Sequence, residues 1–480
     1  MSYTGLNYYL LTAVTLALYA LLPKKRRWLA LLLGSLVFYV LAVGDALRLA
    51  LFFSSIVLSW GFGLLLEKNR ETNRKKRLLF LSLLLCGAPL LFPKLDVLLA
   101  EFCRLDGFHW VIPMGLAFYT LQMLSYLIDI ASGKINAEKN LARYALYISF
   151  FPQILQGPIP RWSELAPQLF EGHEIREKNL REGLQLVLWG FFLKWMIADK
   201  AAILVNTVFD RFPSYQGVYV LIAGILYSLQ LYTDFLACVT LSQGIAQLFG
   251  ISLADNFRQP YFSRSIREFW RRWHISLSRW LKDYVYIPLG GSRRGTAQKY
   301  RNLLLTFLIS GLWHGGGLKF LIWGMMHAIY QIAASVIYAP RNRLYLALQM
   351  PEDSLPRRIL STLGTCFWVM LAWIIFRANS LSQGMEMLRS LVTVWNPWVL
   401  FDGSLLQLGL PGKEWNVLLV SLAILFAVSL LETRLRLRDW INQQHLMIRW
   451  PIYLLAIFAI YFMGTYGEGF RAQDFIYGAF

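Results

Sequence analysis

The sequence predicts an all-α, polytopic integral membrane protein. Its 480 residues are 57% apolar and only 16% charged, which is too apolar for a water-soluble domain of this size. Apolar runs long enough to cross about 30 Å of hydrocarbon recur along the chain. Lys and Arg fall in short clusters between these runs, as the positive-inside rule describes for membrane proteins.

The basic clusters predict the orientation of the first helices. The run at 6–22 follows a nearly uncharged N-terminus, whereas a cleaved signal needs a basic region there, so we predict a retained helix. The clusters at 24–27, 67–77 and 432–439 are predicted to be cytoplasmic, which places the N-terminus outside. Since the net charge of +19 is distributed over such clusters, nucleic acid is not expected as a partner.

Eleven apolar runs are long enough, or nearly long enough, to span a bilayer. They lie near 6–22, 28–43, 47–66, 78–92, 111–130, 184–208, 217–237, 318–338, 359–376, 414–431 and 450–466. Shorter runs at 141–155, 241–253 and 303–313 are predicted as re-entrant or broken helices, which lipid tolerates only when they are packed inside protein. We therefore predict one membrane domain over residues 1–480, with about eleven spanning helices, that encloses a buried site.

The segment 264–284 has a different pattern from its neighbours. Apolar residues recur there at helical spacing, and arginines fill the other side. This predicts an interfacial helix whose tryptophans lie at the lipid headgroup boundary. Arg271 and Arg272 are suited to phosphates, either those of lipid headgroups or those of a ligand.

His314 is the first candidate for chemistry. It ends a short apolar run and is followed by three glycines, which allow a sharp turn and close approach of a substrate. An ionisable group at membrane depth is a functional candidate, and imidazole accepts protons near neutral pH. The alternative is a neutral core histidine. His327 lies thirteen residues later, so on one straight helix the two rings would be about 20 Å apart, a constraint that a break at the glycines removes.

Two further polar residues interrupt apolar segments. Asp234 lies inside an otherwise apolar run, where it either belongs to the site or makes a structural hydrogen bond to a backbone amide or hydroxyl. Gln153 lies among prolines and glycines, with Gln156 and Arg161, either on a broken helix that lines a cavity or in an ordinary loop.

Several kinds of chemistry lack support. The sequence has no nucleotide-binding loop, no H-E-x-x-H motif and no G-x-S-x-G motif. Its four cysteines are far apart and form no C-x-x-C pair, so neither a metal site nor a disulfide framework is predicted.

Three motifs carry a family resemblance. Residues 269–284 read FWRRWHISLSRWLKDY, residues 286–291 read YIPLGG, and residues 311–315 read GLWHG. Together with weaker matches that extend over about 150–330, they resemble the membrane-bound O-acyltransferases, above all the bacterial branch that acetylates alginate. The triple glycine 315–317 and the C-terminal segment 475–480 depart from the pattern of that family.

The resemblance implies a reaction and roles for residues. It implies a cytoplasmic acyl-thioester donor, usually acetyl-coenzyme A as a substrate, with no bound cofactor. It implies that His314 is the central catalytic histidine and His327 a second one, with Trp313 and His274 of the shared motifs near substrate. Our hypothesis adds that Arg271 and Arg272 hold the phosphates of the donor and that His314 acts as general base.

The resemblance also implies an extracytoplasmic polysaccharide acceptor, an acetyltransferase- or esterase-like partner protein outside, contact with membrane lipid, and a place in the bacterial inner membrane. A D-alanyl transferase for teichoic acid is an alternative of the same class. A polymer or lipid transporter is an alternative of another class, but the sequence shows no repeated halves of the kind that many transporters have.

Overall fold

The computed structural model describes residues 2–103, 107–108, 110–293 and 295–466, and all regular structure in these ranges is helical. The C-terminal segment 475–480 lies outside the described residues. The first helices are α1 Leu6–Leu21, α2 Arg27–Val43, α3 Ala46–Lys68, α4 Lys75–Cys103, α5 Leu116–Ala131, α6 Leu141–Ser149, α7 Trp162–Glu171, α8 Glu177–Phe191, α9 Asp199–Asp210 and α10 Val218–Leu248. The others are α11 Ile266–Arg272, α12 Ile275–Leu281, α13 Thr296–His314, α14 Leu318–Val336, α15 Tyr338–Ala347, α16 Leu355–Arg377, α17 Leu381–Thr393, α18 Gly412–Leu431, α19 Leu437–Gln443 and α20 Leu446–Met463.

Seven of the described helices are long and apolar enough to cross a membrane: α2, with the turn before it, α3, α4, α10, α16, α18 and α20. An eighth passage arises if α14 and α15, which meet at a bend of 56°, count as one. The predicted all-helical membrane class is therefore confirmed, while the number of eleven passages is not. The runs at 6–22 and 111–130 form shorter apolar helices of 16 residues each, α1 and α5.

The first compact unit contains the residues up to Gly190 together with Cys238–Asp255. In it, α6 ends at Ser149, and the next residues form a buried turn, as predicted for the broken run at 141–155. The Tyr3 hydroxyl donates to the Phe151 carbonyl oxygen at 3.0 Å, and the Phe151 amide donates to Ser35 Oγ at 3.1 Å. These bonds satisfy buried backbone groups of the turn that follows the helix.

The prediction of a separate short helix at 241–253 is wrong, because α10 continues without a break to Leu248. Gly244 does not interrupt this helix. A side chain at Gly244 would collide with the Gly183 carbonyl oxygen, and one at Gly183 would collide with that of Gly244. The glycine therefore serves a close contact between α8 and α10 instead of a turn.

The second compact unit contains Phe191–Ala237 and, among the described residues, 256–293 and 295–466. Its segment 264–284 is not the single interfacial helix predicted, because α11 ends at Arg272 and α12 begins at Ile275. Asn256 explains the break: its carbonyl oxygen accepts from the Ile275 amide and its side-chain oxygen accepts from the Ser276 amide, both at 3.0 Å.

The tryptophans of this segment also differ from the prediction. Trp273 and Trp280 are buried inside the protein instead of facing a headgroup layer. Trp273 packs against the rings of Trp373 and Phe257, with centroids 5.2 and 5.1 Å away. The helical spacing of the apolar residues thus marked a protein core, which has the same sequence pattern as an interfacial face.

Candidate active site

His314 and His327 are brought together by a helical hairpin in the second unit. Helix α13 ends at His314, the backbone at Gly315 is extended, and α14 begins at Leu318. A side chain at Gly315 would collide with the Phe320 ring, so this position needs glycine for space. The break predicted at the glycines is thus confirmed, and the histidines lie on two separate helices.

Two more glycines allow α13 and α14 to pack closely. Any side chain at Gly311 would meet the Phe320 carbonyl oxygen, and any side chain at Gly324 would meet that of Phe307. These two pairs show that the helices run antiparallel with their backbones nearly in contact. This close contact fixes the relative position of the side chains at the closed end of the hairpin.

Trp323 links the two histidines. Its ring lies 4.8 Å from that of His314, at 85°, and 5.0 Å from that of His327, at 75°, measured between ring centroids. Both histidines are buried, with exposed fractions of 2% and 0%. Two titratable rings against one indole form a compact, largely apolar site that excludes water.

The His327 ring has a defined hydrogen bond. The Trp270 indole N–H donates to its Nδ1 at 3.2 Å. Because Nδ1 accepts, the neutral ring carries its proton on Nε2. His327 Nε2 is buried and has no hydrogen-bond partner among the described residues, so this N–H is available to a substrate.

His274 is linked to His314 through Trp313. Its ring lies between Phe235, 4.7 Å away, and Trp313, 5.8 Å away, and the Trp313 ring lies 4.8 Å from that of His314. Burial lowers the pKa of His274 to about 3, so this ring is neutral near neutral pH. His274 also has a left-handed backbone with φ of 44°, a conformation that is uncommon outside glycine and clusters at functional sites.

Helix α16 supplies residues that the sequence analysis missed. The Trp373 ring stacks on Trp323 at 5.7 Å, and the Phe376 ring lies 5.4 Å from that of His314. Trp373 and Phe376 are three residues apart, so they lie on one face of the helix, and this spacing was visible in the sequence. That face alone does not reveal which other helix it meets.

Asp234 takes part in a buried ion-pair cluster. Lys194 Nζ lies 2.7 Å from a carboxylate oxygen of Asp234 and 3.0 Å from one of Asp199, and all three side chains are at most 4% exposed. An ammonium group is therefore one partner of Asp234, in addition to the alternatives considered from the sequence. Lys194 lies in the π-helical segment Phe192–Ala198, and its contact with Asp234 was not visible in the sequence.

The remaining predicted residues lie elsewhere. Gln153 belongs to the buried turn of the first unit, where neither polar side-chain atom has a hydrogen-bond partner in the described ranges. Arg271 is exposed, and Arg272 forms an ion pair with Glu268 at 2.6 Å. Roles of these three residues in substrate binding stay predictions. No group of three potential metal ligands occurs within the described part of the chain.

Comparison with known proteins identifies the family. The model of the MBOAT, or membrane-bound O-acyltransferase, family matches residues 137–382, which include the predicted core at 150–330. A peptidoglycan O-acetyltransferase of Helicobacter pylori is 35% identical over 420 residues, which cover 81% of this chain and 76% of the relative. The probable alginate O-acetylase AlgI of Pseudomonas aeruginosa is 32% identical, with 87% and 79% covered.

A more distant relative comes from another branch. The teichoic acid D-alanyltransferase of Bacillus subtilis is 27% identical over 227 residues, which cover 45% of this chain and 57% of the relative. The family match, the relatives and the apolar helices agree. The chain belongs to the membrane-bound O-acyltransferase family and is a multi-pass membrane enzyme that transfers acyl groups to oxygen.

Proposed function

We propose that this enzyme moves an acetyl group from cytoplasmic acetyl-coenzyme A across the bacterial inner membrane to hydroxyl groups of an extracytoplasmic polysaccharide. The observation that carries the proposal is the pair of buried histidines, His314 and His327, against Trp323 in a chain that is similar to two O-acetyltransferases. The topology of about eleven passages belongs to the same proposal.

In the proposed reaction, His314 takes the proton of the acceptor hydroxyl while the hydroxyl oxygen attacks the thioester carbonyl carbon. The new C–O bond forms, the C–S bond breaks, and the proton passes from His314 to the leaving thiolate. The Nε2 hydrogen of His327 is a suitable donor to the carbonyl oxygen, where negative charge develops. Base and donor both contact the ring of Trp323, and this shared contact supports joint action on one reacting group.

The acceptor class follows from the names of the relatives. Those names refer to peptidoglycan and to alginate, both of which contain sugar hydroxyls. We include an extracytoplasmic acetyltransferase- or esterase-like protein as the partner that receives the acetyl group or delivers it to the polymer. D-alanyl transfer is less well supported, because its relative matches a smaller share of the chain at lower identity.

The test uses the full chain reconstituted in vesicles with coenzyme A thioesters outside and soluble polysaccharides inside. Acetyl groups labelled with carbon-14 should reach alginate or peptidoglycan fragments, alone or with the partner protein, and vesicles with His314→Ala should show only background. Transfer of D-alanine from a carrier-bound thioester, with no acetyl transfer to any acceptor, would refute the acetyl assignment.

A further inference from the structure

A polar cavity of about 520 Å³ lies in the second unit, lined by α11, α14, α15 and the segment 352–361. Its size is within the range of roughly 300–1,000 Å³ that small-molecule sites occupy. Five arginines line it: Arg264, Arg267, Arg341, Arg357 and Arg358. Since only two acidic side chains, Glu268 and Glu352, share the lining, three net positive charges remain.

Three of these arginines are not neutralised by any of the described residues. Arg264, Arg267 and Arg341 have no side-chain hydrogen bond or ion pair within the residues that the structure describes, in contrast to Arg357 and Arg358. Arg357 donates to Asn342 Oδ1 at 2.8 Å, and Arg358 pairs with a neighbouring carboxylate at 3.1 Å. Guanidinium groups that converge without acidic partners repel each other, and an anion in the cavity relieves that repulsion.

The cavity adjoins the histidine site through two helices. Arg267 lies one turn before Trp270 on α11, and Gln331, which also lines the cavity, lies one turn after His327 on α14. Residues three or four apart share one face of a helix. A ligand anchored in the cavity is therefore next to the Trp270–His327 hydrogen bond.

The charges also indicate a side of the membrane. The chain bends by 56° after α14, and the following residues 337–358 contain Arg341, Arg343, Arg357 and Arg358. An excess of Arg in a short connection between apolar helices is typical of the cytoplasmic side. The donor in the proposed function comes from that side.

We propose that this cavity is the binding site for the phosphate groups of the acyl donor, with Arg267 and Arg341 as the main contacts. The inference rests on the proposed function, which supplies a coenzyme A thioester as the donor. A terminal phosphate carries a charge of roughly −1.5 to −2, and the fork of a guanidinium matches its oxygens. The phosphate of an anionic lipid headgroup has the same chemistry and is the competing source.

The experiment measures binding of coenzyme A by calorimetry to the full chain in nanodiscs of neutral lipid. Arg267→Gln and Arg341→Gln should each raise the Kd about tenfold, and the double variant should raise it further. Arg343→Gln is the matched control, because residue 343 lies two positions along α15 and does not line the cavity. Its Kd should equal that of the wild type.

Each outcome separates this inference from the proposed function. If the wild type binds coenzyme A and the double variant binds it equally well, the cavity assignment is wrong, but a coenzyme A thioester remains the proposed donor. If the wild type does not bind coenzyme A, the proposed donor is wrong, and the assignment of the cavity to its phosphates is wrong as well. Loss of bound phosphatidylglycerol from the double variant in native mass spectrometry, with unchanged coenzyme A affinity, would assign the cavity to lipid.

A measurement on the wild type covers the case in which the variants do not fold. Phenylglyoxal modifies accessible arginines, and peptide mass spectrometry locates the modified positions. Coenzyme A should protect Arg267 and Arg341 from modification but leave Arg343 reactive. Equal modification of all three with and without coenzyme A would overturn the proposal.

Discussion

The hydrogen bond from Trp270 determines where the His327 ring carries its proton. An indole N–H is only a donor, so Nδ1 of His327 must accept, and the proton of the neutral ring stays on Nε2. Trp270 is thus a positioning residue that acts through His327. The sequence offered no sign of this contact, because the two residues are 57 positions apart and a single sequence carries no record of long-range partners.

Replacement of Trp270 by Phe should test this role. The ring packing is largely kept, but the hydrogen bond to Nδ1 is lost, so both neutral tautomers of His327 become populated. Because one hydrogen bond contributes about 0.5–1.5 kcal/mol, we expect kcat to fall roughly 2- to 10-fold with an unchanged KM for the donor.

The readout is acetyl transfer measured as a pH profile, with Trp395→Phe as the control, since Trp395 is exposed. Nitrogen-15 chemical shifts of His327 should also show the mixed tautomers. An unchanged kcat and a single tautomer in the Trp270→Phe protein would rule out the positioning role.

At the scale of elements, the hairpin of α13 and α14 creates the site. The sequence revealed its turn through three consecutive glycines and its two candidate histidines. It did not reveal the close helix contact, because Gly311 and Gly324 are ordinary helix positions until the partner backbone is known. The left-handed backbone at His274 was hidden for a similar reason, since Asn256, from another part of the chain, accepts the hydrogen bonds of the first amides of α12.

Enlarging Gly324 should separate the two helices. Gly324→Ala places a methyl group against the Phe307 carbonyl oxygen, and overpacking of this kind costs about 1–3 kcal/mol. Thermal unfolding in detergent should show a lower Tm together with reduced transfer. Gly364→Ala on α16 is the control, because nothing lies within 4 Å of an added Cβ there and alanine is the better helix former. An equal Tm for Gly324→Ala and Gly364→Ala would argue against the close contact.

The Lys194 cluster makes a second prediction at this scale. Lys194→Met leaves Asp199 and Asp234 buried without their cation, which should cost about 3–5 kcal/mol of unfolding free energy. Asp199→Asn should be milder, because the pair of Lys194 with Asp234 survives. Chemical denaturation in mixed micelles gives the unfolding free energies of the variants, with Lys413→Met, at an exposed position, as the control. A Lys194→Met protein as stable as that control would show that the cluster is dispensable.

At the scale of the whole molecule, composition and hydropathy were enough to predict the helical membrane class. The positions of α2, α3, α16 and α18 agree with the predicted runs within a few residues, because long apolar segments bounded by charges leave little choice. The count of passages was less predictable. Apolar runs such as those of α1 and α5 are nearly as long as spanning helices, and composition alone does not tell them from buried helices.

The orientation of the whole molecule is a prediction that cysteine labelling tests. In a Cys103→Ser background, Ser2→Cys should react with a membrane-impermeant maleimide in intact cells. Thr72→Cys should react only after permeabilisation, since the basic connection at 67–77 is predicted to be cytoplasmic. Reaction of residue 72 from outside would reverse the orientation.

The role of His314 as general base is tested most directly by acetyl transfer with a His314→Ala protein in reconstituted vesicles. We predict that this protein inserts, folds and binds coenzyme A normally, while transfer falls by roughly 10²- to 10⁴-fold, as loss of a general base requires. His314→Gln should fail similarly, because an amide does not take up the proton, and the exposed His445→Ala should be normal. Near-normal transfer by the His314→Ala protein would show that His314 is not the catalytic base.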